Sequence, residues 1–298
     1  MMRRVKYGEI DFEKYGRCIE DSAQRKYCAT REFLDISCGE KWEVIVKGNY
    51  DAVMPVTFVK KMGLKIVVHP VLCQQLGIFS KTDDAQQNQE FLDFLLNNYR
   101  VAYYAFNDGN AFINSPERRT NFILKSAVYA EVLQKYSPKR RRKLRIDADL
   151  EQIIIIKRIS WEQGIAFMAG NVPGLYNDAL KNEFFRILKQ LYERSVLELE
   201  AFLLNDQIIN MVAIYRDQKT AVLVGTFNDR ENMKLNGASI LIDRAIERHI
   251  ATTDFDFEGS DVPAIAEFFR GFRPELKTYP IIRNSRKELV KTLFRQTL

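Results

Sequence analysis

The sequence predicts a three-layer α+β chain of two similar halves, each a mixed, mostly antiparallel sheet flanked by helices. Three observations lead there. Apolar runs of strand length alternate with turn residues; apolar residues at helical spacing follow the third strand of each set; and the same order of elements occurs twice. At 298 residues the chain has room for two domains of ordinary size, and 46% hydrophobic with 28% charged residues excludes wholesale disorder.

In the first half, residues 43–47 form a strand, 48–51 a turn, 52–60 and 64–72 two further strands. The polar stretch 81–88 then leads into a helix on which Phe91, Leu92, Leu95, Leu96 and Tyr99 recur at helical spacing, and 101–106 is the strand after it. The second half repeats this order with strands at 199–204, 208–215 and 220–227, a helix at 237–249 and a strand at 255–259. Ile240, Leu241, Ala245 and Ile246 give that helix its apolar face.

Between the halves, Ser137 followed by Pro138 is a helix start, serine as N-cap and proline in the first turn. The basic run 139–145 forms the body of that helix, which continues to about residue 150. A strand at 152–159 follows, and its unbroken Ile153-Ile154-Ile155-Ile156 predicts burial on both faces. The boundary falls near residue 146, giving domains 1–145 and 146–298. Ser160-Trp161-Glu162-Gln163 starts another helix, 177–197 is a long amphipathic one, and a closing helix at 286–298 packs back on the body.

Three segments resemble the Fem-type branch of the GNAT acyltransferase superfamily, which includes aminoacyltransferases that build peptidoglycan cross-bridges. The segment from Tyr136 to Arg145 is similar to the family's serine-capped, Arg/Lys-rich helix joining two halves. Leu235-Asn236-Gly237-Ala238-Ser239-Ile240-Leu241 resembles its degenerate phosphate loop entering a helix. Phe255-Asp256-Phe257-Glu258-Gly259-Ser260, continuing through residues 265–272, resembles its strand-then-helix signature ending in Phe-basic-x-Phe. Three strands, a helix and a further strand are the order of the GNAT core. Departures are Arg270 where lysine is frequent, Ser239 where a second glycine is usual, and no length for the coiled-coil arm of some cross-bridge enzymes.

The resemblance implies a tandem GNAT-like enzyme moving an acyl group from a carrier to an amino group of a small-molecule or peptide acceptor. Acetyl-CoA or another acyl-CoA is the favoured donor. The alternatives are an aminoacyl-tRNA donor with a peptidoglycan precursor or peptide as acceptor, and a GNAT-fold binding module without catalysis. It places the donor in the second half. There Gly225, Thr226 and Phe227 lie on the splayed strand, Asn236, Gly237, Ala238 and Ser239 form the helix start, and Lys234 and Arg270 add positive charge. Helix N-termini favour anions through free amides and the helix dipole; a plain loop-to-helix junction is the other reading of the same residues.

Strand alternation puts Asp254, Asp256 and Glu258 on one face, opposite Phe255 and Phe257. Glu258 at the strand end is the candidate base, a structural ion-pair network being the alternative. Tyr215 is a candidate acid, or a core tyrosine. Arg140, Arg141 and Lys143 are candidates for phosphate contacts, including those of a tRNA, or for a structural role between the halves. Six of the seven residues 139–145 are cationic, a large share of the net charge of +6.

Cys18, Cys28, Cys38 and Cys73 show no metal-ligand spacing, and with only His69 and His249 beside them a metal site is not expected. No apolar stretch is long enough to span a membrane, and the N-terminus turns polar at once, which predicts a cytoplasmic protein with reduced thiols.

Overall fold

A computed structural model describes residues 1–289 except 62, 115, 173, 176, 260, 261 and 286. The chain forms two compact units, Met1–Arg119 with the segment from Thr278 onward, and Thr120–Lys277. It passes from the first to the second within β8 (Glu117–Leu124) and returns within β14 (Glu275–Arg283).

The first unit runs β1 (Met2–Lys6), α1 (Phe12–Glu20), α2 (Arg31–Cys38), β2 (Trp42–Lys47), β3 (Ala52–Lys61), β4 (Leu64–Val67), a short β5 (Phe79–Ser80), α3 (Ala85–Asn98), β6 (Arg100–Val101) and β7 (Tyr103–Ala105). The second unit takes α4 (Tyr129–Lys135) and α5 (Pro138–Lys143) after β8. It continues with β9 (Ile154–Arg158), α6 (Trp161–Asn171), α7 (Asp178–Glu193), β10 (Leu197–Leu204), β11 (Gln207–Arg216), β12 (Thr220–Asn228), α8 (Gly237–His249), β13 (Asp254–Asp256) and α9 (Pro263–Arg270). One module therefore occurs twice: strand, two helices, three antiparallel strands, helix, and a strand parallel to the third. Sequence reading recovers the last five elements in both halves and misses α1 and α2 of the first.

Sheet order confirms the repeat. In the first unit β1-β2-β3-β4-β6 is antiparallel except for the last pair, with β5 on β3. In the second, β8-β13-β12-β11-β10-β9 is antiparallel except for β12 with β13. Helix starts follow the capping residues. Asp11, Thr30, Asp84, Ser137, Ser160 and Asn177 each accept a backbone N–H of the helix they open.

α8 packs on the second sheet through Leu241, Ala245 and Ile246, against Phe202, Val212, Ile214 and Phe255. Its last turns are held electrostatically: Arg244 and Arg248 reach the buried Glu200, and Arg248 and His249 reach Glu198. Burial raises the Glu198 carboxyl, but His249, Arg158 and Arg248 outweigh that and hold it down at about 2.

Several sequence expectations change. The division between units lies at residues 119/120 and 277/278 rather than at 146, because α5 docks on α8 and α9. The basic helix ends at Lys143, not near 150. β9 is an edge strand with Ile155 41% exposed, so its isoleucine run is not buried on both faces. β13 stops at Asp256. The predicted helix 286–298 falls largely outside the described residues, as does Ser260 of the third motif. Among the described residues, no helix is long and apolar enough to cross a membrane.

Candidate functional site

Strand β12 opens the site. It pairs with β13 only from Thr220 to Val222, opposite Asp254 to Asp256, and then runs on to Asn228. Beyond Val222 the two parallel strands have parted. On its other side β12 stays paired with β11, but the register jumps: Ala213 faces Gly225 and Ile214 faces Leu223, leaving Val224 as the extra residue of a bulge. A bulge bends and twists its strand, which supplies the splay expected at Gly225, Thr226 and Phe227. Gly225 is required by packing, since a Cβ there would lie 2.9 Å from the Phe227 ring.

The helix start follows. A 3-10 turn at Met233–Leu235 leads into Asn236, whose backbone is left-handed (φ 58, ψ 20) and whose side chain turns back to the Lys234 carbonyl at 3.0 Å. No side chain caps α8. The Ser239 and Ile240 amides return to the Asn236 carbonyl, whereas those of Gly237 and Ala238 have no backbone acceptor among the described residues. Two free amides at the positive end of a 13-residue helix favour an anion. Lys234 is exposed and has no acidic partner among the described residues.

Gly237 itself faces the sheet. A Cβ on it would meet Asn210 Oδ1 at 2.0 Å and the Phe202 ring at 3.1 Å, so this glycine brings the helix start down onto β10 and β11. Asn210 is buried and donates to Asn228 at 2.9 Å. Ser239 is 2% exposed and accepts a hydrogen bond from Arg140, so its side chain points away from solvent and does not fill the anion position.

Arg140 corrects the reading of the basic run. It is 4% exposed, its guanidinium 4.1 and 4.2 Å from the ring centres of Phe268 and Phe272, and it donates to the Phe268 carbonyl at 2.6 Å. Burial lowers it to about 10. It is an internal pin joining α5, α8 and α9 rather than a surface phosphate contact. Arg141 is exposed and Lys143 half-buried, its ammonium lowered by burial and by the neighbouring Arg140 and Lys139.

At the end of β13, Asn121 donates to both oxygens of the buried Asp256 at 3.0 and 3.2 Å, and Glu258 donates its backbone N–H to the same carboxylate at 2.8 Å. Glu258 and Gly259 are both left-handed (φ 56 and 55), and a Cβ on Gly259 would lie 2.3 Å from the Thr120 carbonyl. The expected alternation of three carboxylates thus ends at Asp256. Asp254 pairs with Lys125 at 2.7 Å. Glu258, half-buried on a turn that costs about 1 kcal/mol of backbone strain, sits where β13 has left β12. Such strand ends are where open α/β sheets bind ligands.

Tyr215 is buried and faces Val222 across β11 and β12, and Val222 faces Asp256. It is therefore level with the last paired residues, about 10 Å from Asp256 across two strand spacings, and not at the parted end. Arg270 is exposed at the end of α9, 5.6 Å over Phe122 and 3.8 Å from Glu267. Sequence reading missed Asn121 and Asn210, polar residues on apolar strands, and Asp243, a half-buried carboxyl raised by burial that accepts from Tyr129 at 3.0 Å.

No protein-family model and no curated protein matches the chain. Solved structures do. FemX is similar with TM-score 0.63 at 11% identity, over 93% of this chain and 96% of its own. A tandem GNAT protein from the clavulanic acid biosynthesis pathway gives 0.55 at 10% identity, over 95% and 98%. A protein of unknown function from Bacteroides thetaiotaomicron gives 0.54 at 9%, over 94% and 98%. The chain shares the tandem GNAT-like α+β fold of these structures, and identities this low speak for the fold alone.

Proposed function

We propose that the chain is an N-acyltransferase that moves an acyl group from acyl-CoA to the amino group of a small-molecule or peptide acceptor. The observation that carries this is the uncapped start of α8 beside the parted edge of β12. Free amides at Gly237 and Ala238 suit a phosphate of the donor, and the unpaired strand edge suits the amide groups of its arm. The inward turn of Ser239 removes the objection raised by the missing second glycine. Lys234 supplies further positive charge. In this reading Glu258 accepts the proton that the acceptor amine loses as it attacks the acyl carbon. Tyr215 and Arg270 rank below it: one is level with the paired strands, the other is exposed on α9.

The exposed Lys139, Arg141 and Arg142 favour a second reading, in which the donor is an aminoacyl-tRNA. Thermal unfolding with CoA, acetyl-CoA, and charged or uncharged tRNA at two salt concentrations separates them. At 100 times its dissociation constant a ligand adds about 2.7 kcal/mol of stability. Stabilisation by acetyl-CoA, followed by release of free CoA thiol with an amine panel, is the expected result. Stabilisation by aminoacyl-tRNA alone, falling steeply with salt, moves the assignment to the second reading. No stabilisation by either leaves a binding module that has lost transfer.

A further inference from the structure

The first unit holds a cavity of about 720 Å³, within the size range of small-molecule sites and large enough for roughly two dozen waters. Its walls come from α1, the β2–β3 turn, the segment from β5 into α3, and the first turns of α3. Cations and carboxylates line it in equal measure, and most of them are already engaged. Lys47 reaches Glu90 at 2.8 Å, Lys14 reaches Asn49 at 3.0 Å, and Arg17 reaches Glu13 at 2.6 Å. The Asp84 carboxylate accepts the Gln87 amide at 2.6 Å.

Two charges remain. Lys81 and Asp21 both line the cavity, both are exposed, and neither side chain has a partner among the described residues. One free ammonium and one free carboxylate on a polar cavity complement a ligand carrying the same two charges. Tyr50 also lines the cavity. Tyr50 holds a left-handed backbone (φ 68), rare for an aromatic residue, and its hydroxyl accepts the Asp11 amide at 2.9 Å. The Asp84 carboxylate at the start of α3 disfavours a phosphate there, since a second anion would meet it.

We propose that this cavity binds a zwitterionic amino-acid or short-peptide ligand, its carboxylate at Lys81 and its ammonium at Asp21. The site is built within the first unit alone and stands whether or not the transfer reading of the second unit holds.

Calorimetric titration of the full chain with trialanine tests it, with N-acetyl-trialanine and trialanine amide as arms lacking one charge each. Trialanine is expected to bind with a dissociation constant at or below about 1 mM. Each capped peptide, and each of Lys81→Glu and Asp21→Lys, is expected to bind at least tenfold more weakly. Both side chains are exposed and partnerless, so the variants should keep the native unfolding midpoint. Cys18, half-buried in the same cavity, reports independently: trialanine should slow its modification by a neutral thiol reagent, and the capped peptides should not. Absence of saturable binding together with unchanged Cys18 modification overturns the proposal. So does equal affinity for the capped peptides on the native protein.

Discussion

Helices α3 and α8 hold the same place in the same order of elements, yet their first turns carry different chemistry. α3 begins at Asp84, whose carboxylate takes up the Gln87 amide. α8 begins at a left-handed Asn236 with no side-chain cap and two amides without a backbone acceptor. The strands beside them differ in the same sense. In the first unit the chain closes its own gap. Ala102 donates to the Val67 carbonyl at 3.0 Å, Ala105 donates to His69 Nε2 at 2.9 Å, and Leu76 donates to the Ala105 carbonyl at 2.9 Å. In the second, β12 runs past its partner with that edge open. One copy of the module has become self-satisfied and the other keeps backbone groups available, which is why the donor site is assigned to the second.

The comparison breaks most visibly at the first helical residue. Gly237→Ala places a methyl against the buried Asn210 and is expected to cost about 3 kcal/mol of stability, whereas Ala85→Gly at the matching position costs under about 1 kcal/mol. Urea unfolding of the two variants checks the contrast.

The closure of the first unit is expected to be pH-dependent. His69 accepts from Ala105 through Nε2 and donates to the Cys73 carbonyl through Nδ1, which requires a neutral ring. Burial pushes it down to about 4. The unfolded chain takes up the proton near pH 6.5, and the folded one does so only near 4. Stability is therefore lost as pH falls through that window, by at most about 3 kcal/mol. His69→Gln should flatten the dependence; an unchanged slope between pH 7 and 4.5 would contradict this account of the closure.

Smaller effects sharpen the two caps. Asp84→Ala removes a capping bond and is expected to cost about 1 kcal/mol. Asn236→Gly loses no cap and relieves a left-handed backbone, so it should be neutral or stabilising by a few tenths of a kcal/mol in thermal unfolding.

Local signals explain what the sequence revealed. The bounds of α8 were legible because a polar turn, a glycine and apolar residues at helical spacing coincide there. The starts of α1 and α2 have side-chain caps in Asp11 and Thr30, but a capping residue alone does not mark a helix. The burial of β9 was misread because an apolar run does not say whether its strand is central or at an edge. Arg140 was unreadable as a pin, since nothing within a run of like charges marks the one residue turned inward onto Phe268 and Phe272. Strand alternation puts Glu258 on a strand face because it cannot announce the left-handed turn that ends the strand at Asp256.

The central claim is that the second copy, not the first, receives the donor. Ala238→Glu puts a carboxylate among the free amides of α8, where the helix dipole tolerates it but a phosphate does not. Gln86→Glu puts the same charge at the second helical residue of α3, its counterpart. Stabilisation by acetyl-CoA should be lost in Ala238→Glu and kept in Gln86→Glu, with both folds intact. Loss in Gln86→Glu alone would place the donor in the first copy and contradict the account.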